Sequence, residues 1–132
     1  MRISHTPPPN FEKIKEMFGV DEQSRVVYTW GDTIHNPSGA TVGPDIVAHE
    51  EVHEQQQNGD PSGWWHKYMG NIYFRLAEEA RAYQVQYRTY CKHVKDRNEQ
   101  ARYLLQIAGH LSSNVYGNMI TQAEAVKLIA NG

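Results

Sequence analysis

Within the 132 residues, one string gathers side chains that can do chemistry together: His49-Glu50-Glu51-Val52-His53. On a helix, residues four apart stand only ~40° apart around the axis. Both imidazoles then project from one face, at the spacing a tetrahedral zinc ion requires. Glu50 falls ~100° from His49 and ~60° from His53, close enough to reach water beside the metal without ligating it. The division of labour suits hydrolysis, with neutral ring nitrogens holding Zn²⁺ and a carboxylate taking a proton from water. Ile46, His49, Val52, His53 and Gln56 share one helix face and Glu51, Glu54 and Gln55 the other, so both histidines are expected to point inward.

A catalytic zinc commonly takes three protein ligands and keeps one position open. The third is expected from Leu76-Ala77-Glu78-Glu79-Ala80-Arg81-Ala82-Tyr83. Tyr73, Leu76, Ala80, Tyr83, Tyr87 and Tyr90 recur every three or four residues and mark the buried stripe of a long helix. Glu79 lies ~70° from the centre of that stripe and Glu78 ~170° from it. Glu79 is therefore the expected ligand, and Glu78 is expected in solvent. A surface pair between Arg75 and Glu79 is the competing arrangement, and His66 is a further alternative for the third ligand. Tyr83, Tyr87 or His66 is placed to steady a developing oxyanion. Gln56 and Gln57 follow the second histidine closely enough to support the ligands. Trp64 and Trp65 are expected to anchor a short helix, with lining of a substrate groove as the alternative, and Cys91 to be a small core residue. His5, His35, His93 and His110 have no metal-like partner spacing.

The elements that must position these residues can be traced from punctuation and periodicity. A helix is predicted from Phe11 to Phe18, with Asn10 as N-cap and Gly19 as its stop. Arg25–Trp30 is rich in β-formers and predicts a strand. Gly31-Asp32 turns the chain into a second short strand, Thr33–His35, and this hairpin is expected to be the only sheet. Pro7-Pro8-Pro9 predicts an extended arm leading into the fold. Pro44 at a first helical position starts the motif helix, which should run to Asn58-Gly59. Asp60-Pro61 starts a short helix carrying the two tryptophans. Asn71 caps the long helix, Ile72 to Val94. A further helix is predicted from Asn98 to Ala108, stopping at Gly109. Thr121-Gln122-Ala123-Glu124 forms a capping box ahead of an apolar stretch to Ile129.

Composition bounds the rest. A length of 132 residues fits one domain, 1–132, and 39% hydrophobic with 21% charged residues suits a soluble globular chain. A net charge of −2 argues against a general nucleic-acid footprint. The halves differ: residues 1–65 carry four bases against ten acids and residues 66–132 nine against five. Two surfaces of opposite sign packing together accounts for this. One cysteine forms no internal disulfide, so nothing requires an oxidising compartment. No apolar run predicts a secretory signal or a membrane span.

The motif and its companion helix resemble those of the zincin metallopeptidases, more narrowly the gluzincin-like ones whose third ligand is a glutamate. Their second motif is often E-x-x-A-D; here Glu79-Ala80-Arg81-Ala82-Tyr83 gives E-x-x-A, with Tyr83 where Asp is frequent. The stretch from Tyr28 to Tyr87, with Gly31-Asp32-Thr33-Ile34, His49 to Gln57, Trp64-Trp65 and Phe74-Arg75-Leu76, is also similar to small uncharacterised phage and prophage peptidase-like proteins. The resemblance implies Zn²⁺ held by His49, His53 and Glu79, with Glu50 as general base. It implies a peptide or protein substrate, pairing with the edge of the strand that precedes the motif helix. The expected fold is α+β and mostly helical, zincin-like, with a small hairpin and the metal site between two helices. The expected location is the cytoplasm, the host's if the chain is phage-encoded. The alternative function is a non-catalytic, zinc-stapled interaction module, such as a phage-associated structural or accessory protein.

Overall fold

A computed structural model describes all residues, 1–132. Six helices and one small sheet make up the chain, so it is mostly helical with an α+β character. In order these are β1 (Arg2–Ser4), α1 (Phe11–Phe18), β2 (Tyr28–Trp30), β3 (Thr33–His35), α2 (Pro44–Gln57), α3 (Pro61–Gly70), α4 (Ile72–His93), α5 (Arg97–Leu111) and α6 (Gln122–Ala130). A single 3₁₀ turn, Asn114–Tyr116, joins α5 to α6.

The sheet departs from expectation in one respect. It has three strands, in the order β1-β3-β2, so the hairpin is not alone. β1 lies parallel to β3, with Ile3 opposite Ile34. The N-terminal lead-in is thus a strand before it becomes a proline arm. β2 spans three residues rather than Arg25–Trp30, because its partner β3 is only three residues long. Before it, the Asp21 carboxylate accepts from the Gln23 and Ser24 amides and shapes a turn instead of extended chain.

The helices follow their end signals closely. Gly19 closes α1 at φ 67° and Asn58 closes α2 at φ 48°, both left-handed. Asn10 occupies the N-cap position of α1 without a capping side-chain bond. Asp60 caps α3 through the Gly63 amide, Asn71 caps α4 through the amides of Tyr73 and Phe74, and the Thr121–Glu124 capping box is formed. α5 runs through Gly109 to Leu111. Ile107, Ala108 and Leu111 are buried on its inner face, and that burial outweighs the ~1 kcal/mol a helical glycine costs.

Two apolar clusters flank the middle of the molecule. Ala80, Ile107, Ala108, Leu111, Tyr116, Ala125 and Ile129 join α4, α5 and α6. Phe11, Ile14, Tyr28, Trp64, Trp65 and Tyr68 join α1, β2 and α3. Both tryptophans therefore anchor α3, as expected. Between the clusters, α2 packs along α4, and there the buried polar side chains collect: His49, Glu50, His53, Gln57, Arg75, Glu79 and Gln86. No helix is long and apolar enough to cross a membrane.

Candidate metal centre

The facing sides of α2 and α4 bring three of the expected residues to one point. His53 Nε2 lies 2.7 Å from Glu79 Oε1 and His49 Nε2 lies 3.0 Å from the same oxygen. The two Nε2 atoms are 3.1 Å apart. All three side chains are buried, with residue exposures of 4–7%. Glu50 is buried beside them, its Oε2 3.6 Å from His49 Nε2, so that His49, Glu50 and His53 also form a compact group able to hold a metal ion.

The other ring nitrogens decide what the Nε2 atoms can do. His53 Nδ1 is 2.8 Å from Gln56 Oε1, and the Gln56 amide nitrogen donates to the Glu78 carbonyl. His49 Nδ1 is 2.7 Å from Gln86 Oε1, and the Gln86 amide nitrogen donates to the Tyr103 hydroxyl. Each glutamine thus turns its oxygen to a ring, and an amide oxygen only accepts. Both Nδ1 atoms must donate, which leaves the neutral ring's lone pair on Nε2, facing Glu79. With both rings neutral, three electron-pair donors face one another at about 3 Å, an arrangement that needs a positive charge among them, either a metal ion or a proton on Nε2 shared with Glu79.

The electrostatics agree. At Glu79, burial works against the charged form, but the His53 charge and hydrogen bonds from both rings hold the carboxyl well below its usual range. At His53, burial opposes protonation, but Glu79 overcomes it and raises the ring to about 9. At Glu50, burial is the largest influence and raises the carboxyl. The second oxygen of Glu79 accepts from Tyr68 (2.6 Å) and Tyr116 (3.0 Å). Both phenols are pushed well up by burial and by Glu79, so they remain donors. They occupy Oε2 and leave Oε1 to face the histidines.

Glu50 is held from the strand side. The Thr29 hydroxyl donates to Glu50 Oε1 at 2.9 Å. Along β3 and its flanking residues, Asp32, Ile34 and Asn36 direct their backbone groups to β1, so Thr33 and His35 face β2. Thr29 and Gly31 therefore direct their backbone groups away from β3, toward the sheet edge. That edge is already satisfied in part. Gln57 donates to the Thr29 carbonyl (2.8 Å) and accepts from the Gly31 amide (2.8 Å), and the Trp65 indole also donates to the Thr29 carbonyl (2.9 Å). The Thr29–Gly31 end of the strand edge is thus occupied by the Gln57 side chain.

Other expectations resolve by position. Arg75 makes no pair with Glu79; it is buried and donates to the carbonyls of Tyr68, Met69 and Val115. Two of these end α3, where carbonyls carry the negative end of the helix dipole. Glu78 is half-buried rather than free in solvent, and it accepts from the Trp64 indole. His66 is exposed on α3 and lies outside the cleft. Tyr87 packs against the α4–α5–α6 cluster and also stays outside it. Tyr83 lines the cleft, with its ring edge-on to the His49 ring at a centre-to-centre distance of 4.7 Å. Tyr73, counted in the buried stripe, is 72% exposed because it lies in the first turn of α4. Cys91 is half-buried.

Gln86, Tyr68, Tyr116, Thr29, Tyr103 and Asp45 are the contributors that sequence reasoning did not name. Gln86 had a signal: it is seven residues, two helical turns, beyond Glu79 and shares its face. Asp45 likewise stands one turn before His49 on α2, while the others reach the centre from separate elements and had no such signal. The centre opens to a cleft of about 460 Å³ whose walls are mostly apolar, including Val26, Val27, Ile46 and Ile107. Comparison with protein-family models, with curated proteins and with solved structures finds no match. What stands on geometry is a buried group, His49, Glu50 and His53, able to bind a metal ion, with Glu79 Oε1 within 3.0 Å of both imidazoles.

Proposed function

We propose that this chain is a zinc-dependent peptidase of the zincin kind, with His49, His53 and Glu79 as metal ligands and Glu50 as general base. The observation that carries the reading is the convergence of Nε2, Nε2 and Oε1, with sides of 2.7, 3.0 and 3.1 Å. A triangle of those sides has a circumscribed radius of about 1.7 Å, smaller than a zinc–nitrogen or zinc–oxygen bond of about 2.0–2.2 Å. A point at bonding distance from all three atoms therefore exists, and the donor set is one that zinc favours.

When bound, such an ion supplies Lewis acidity, polarising a carbonyl and making water a better nucleophile at neutral pH. The chain's own residues supply the rest. Glu50 Oε2 faces the centre while Oε1 is tied to Thr29, so the free oxygen takes a proton from water and delivers it to the departing amine. Tyr83 offers a hydroxyl at the cleft wall for the developing oxyanion. The apolar cleft takes apolar side chains of a peptide and excludes water around the reacting bond.

One observation favours a second reading. Glu50 Oε2 is only 3.6 Å from His49 Nε2, near enough to close a four-ligand shell around a structural ion. A Glu50→Gln protein separates the two. The peptidase reading expects it to keep one zinc while cleavage of a mixed peptide library falls by about 10²–10⁴-fold. Cleavage as fast as wild type would remove Glu50 from the mechanism. Loss of the zinc, with an inert wild type, would favour the structural staple.

A further inference from the structure

The glutamine that orients His49 is itself oriented from farther out. Gln86 donates its amide nitrogen to the Tyr103 hydroxyl at 2.6 Å. That phenol can accept because its own proton is given to Asp45 Oδ2 at 2.5 Å. Asp45 stands in the first turn of α2, one turn before His49 on the same helix, where a negative charge is favoured by the helix dipole. Ahead of it, Gly43 is extended and leaves room for Asp45 Oδ1: a methyl group there would come within 2.9 Å of that oxygen. Tyr90 stacks on Tyr103 with ring centres 3.7 Å apart and planes 14° apart, which fixes the phenol.

We propose that Asp45 is a positioning residue that sets, through Tyr103 and Gln86, which nitrogen of His49 carries its proton. The proposal rests on the reading of His49 as a metal ligand only for its consequence, since the hydrogen-bond direction exists without an ion. A carboxylate only accepts. With Asp45 at one end, Tyr103 must donate to it, Gln86 must donate to Tyr103, and the Gln86 oxygen must face His49. Every link then points one way, and Nε2 of the neutral ring is left free for metal. An amide at position 45 removes that constraint. It can donate to Tyr103, the phenol can donate to the Gln86 oxygen, and the Gln86 nitrogen can donate to His49 Nδ1. The ring then carries its proton on Nε2 and cannot ligate. Helix α5 thereby contributes to the centre without touching it.

The test uses full-length metal-free protein and two readings: the His49 tautomer from ring ¹⁵N shifts, and zinc affinity by competition with a chelating dye. The wild type is expected to hold its proton on Nδ1. Asp45→Asn is expected to move the proton toward Nε2 and to weaken zinc binding by about 10–100-fold, the usual effect of losing a partner behind a ligand. Tyr103→Phe breaks the same chain while keeping the Asp45 charge, and the same direction of change is expected. Asp45→Asn combined with Gln86→Glu is expected to regain affinity, because a carboxylate beside His49 accepts whatever stands at position 45. An unchanged tautomer in Asp45→Asn overturns the proposal. So does wild-type affinity in Tyr103→Phe, which would reduce Asp45 to a distant charge. Should Asp45→Asn fail to fold by circular dichroism, Tyr103→Phe decides between the two outcomes through the same readings. A wild type that shows the Nδ1 proton but binds no zinc would sink the metal reading and leave this one standing.

Discussion

On the proposed reading, zinc entering this centre evicts a proton, and the size of that effect follows from His53. In the metal-free protein Glu79 lies 2.7 Å from His53 Nε2 and raises the ring to about 9 against burial. At pH 7 the ring is thus protonated, on the nitrogen that would bind metal. Each pH unit well below 9 lowers apparent affinity tenfold, so binding at pH 7 should be about 100-fold weaker than to the deprotonated ring. That corresponds to about 3 kcal/mol at 1.36 kcal/mol per unit. Dye competition between pH 7 and 8.5 should give a slope near one in the logarithm of the association constant against pH, and calorimetry in two buffers should count about one proton released per zinc. The same shift has a consequence for stability without metal. A histidine raised in the folded state contributes stability that is fully present below its unfolded value of about 6.5 and is lost as pH rises through about 9. Urea unfolding of metal-free protein should therefore show falling stability from pH 7 to 9. A flat affinity profile together with flat stability across that window would refute the placement of His53 against Glu79.

Thr29→Val removes the hydroxyl that donates to Glu50 Oε1. Stability should fall by about 1–3 kcal/mol in urea titrations, as for a lost bond to a buried charged group, while bound zinc stays at wild-type level; zinc loss would mean that Glu50 is a ligand. Arg75→Met strips donors from three carbonyls at the junction of α3, α4 and the 3₁₀ turn. It should cost at least about 3 kcal/mol and lower the melting temperature by roughly 10 °C, read by circular dichroism; an unchanged melting temperature would remove Arg75 from the support of the centre.

What could be read from the sequence divides by range. Spacing alone put His49 and His53 on one face of α2, because a helix fixes the angle between residues four apart. The aromatic and small residues of α4 placed Glu79 on the buried face, although Glu78 is half-buried rather than in solvent and Tyr73 at the head of that stripe is exposed. The stripe measures which face packs on the rest of the chain, and the first turn of α4 has little to pack on. Cap residues gave helix ends to within a residue or two wherever a side chain or a left-handed residue stops the helix. They failed at Gly109, where burial of Leu111 carried the helix on. β1 was out of reach, since three residues show no periodicity and their partner lies some thirty residues away. The same holds for Tyr68 and Tyr116 on Glu79 Oε2 and for Asp45 behind Tyr103: nothing local in a tyrosine or aspartate announces a hydrogen bond across the fold. Gln56 was within reach because it sits three residues past His53 on the same helix. Gln57 proved to serve the strand edge instead.

One divalent ion held jointly by α2 and α4 is the central claim. Elemental analysis of purified wild type beside His49→Ala, His53→Ala and Glu79→Ala tests it most directly. About one zinc per wild-type chain, lost in each of the three variants, is the predicted result. Zinc retained in Glu79→Ala, or no stoichiometric metal in the wild type after incubation with zinc and removal of excess, would contradict it.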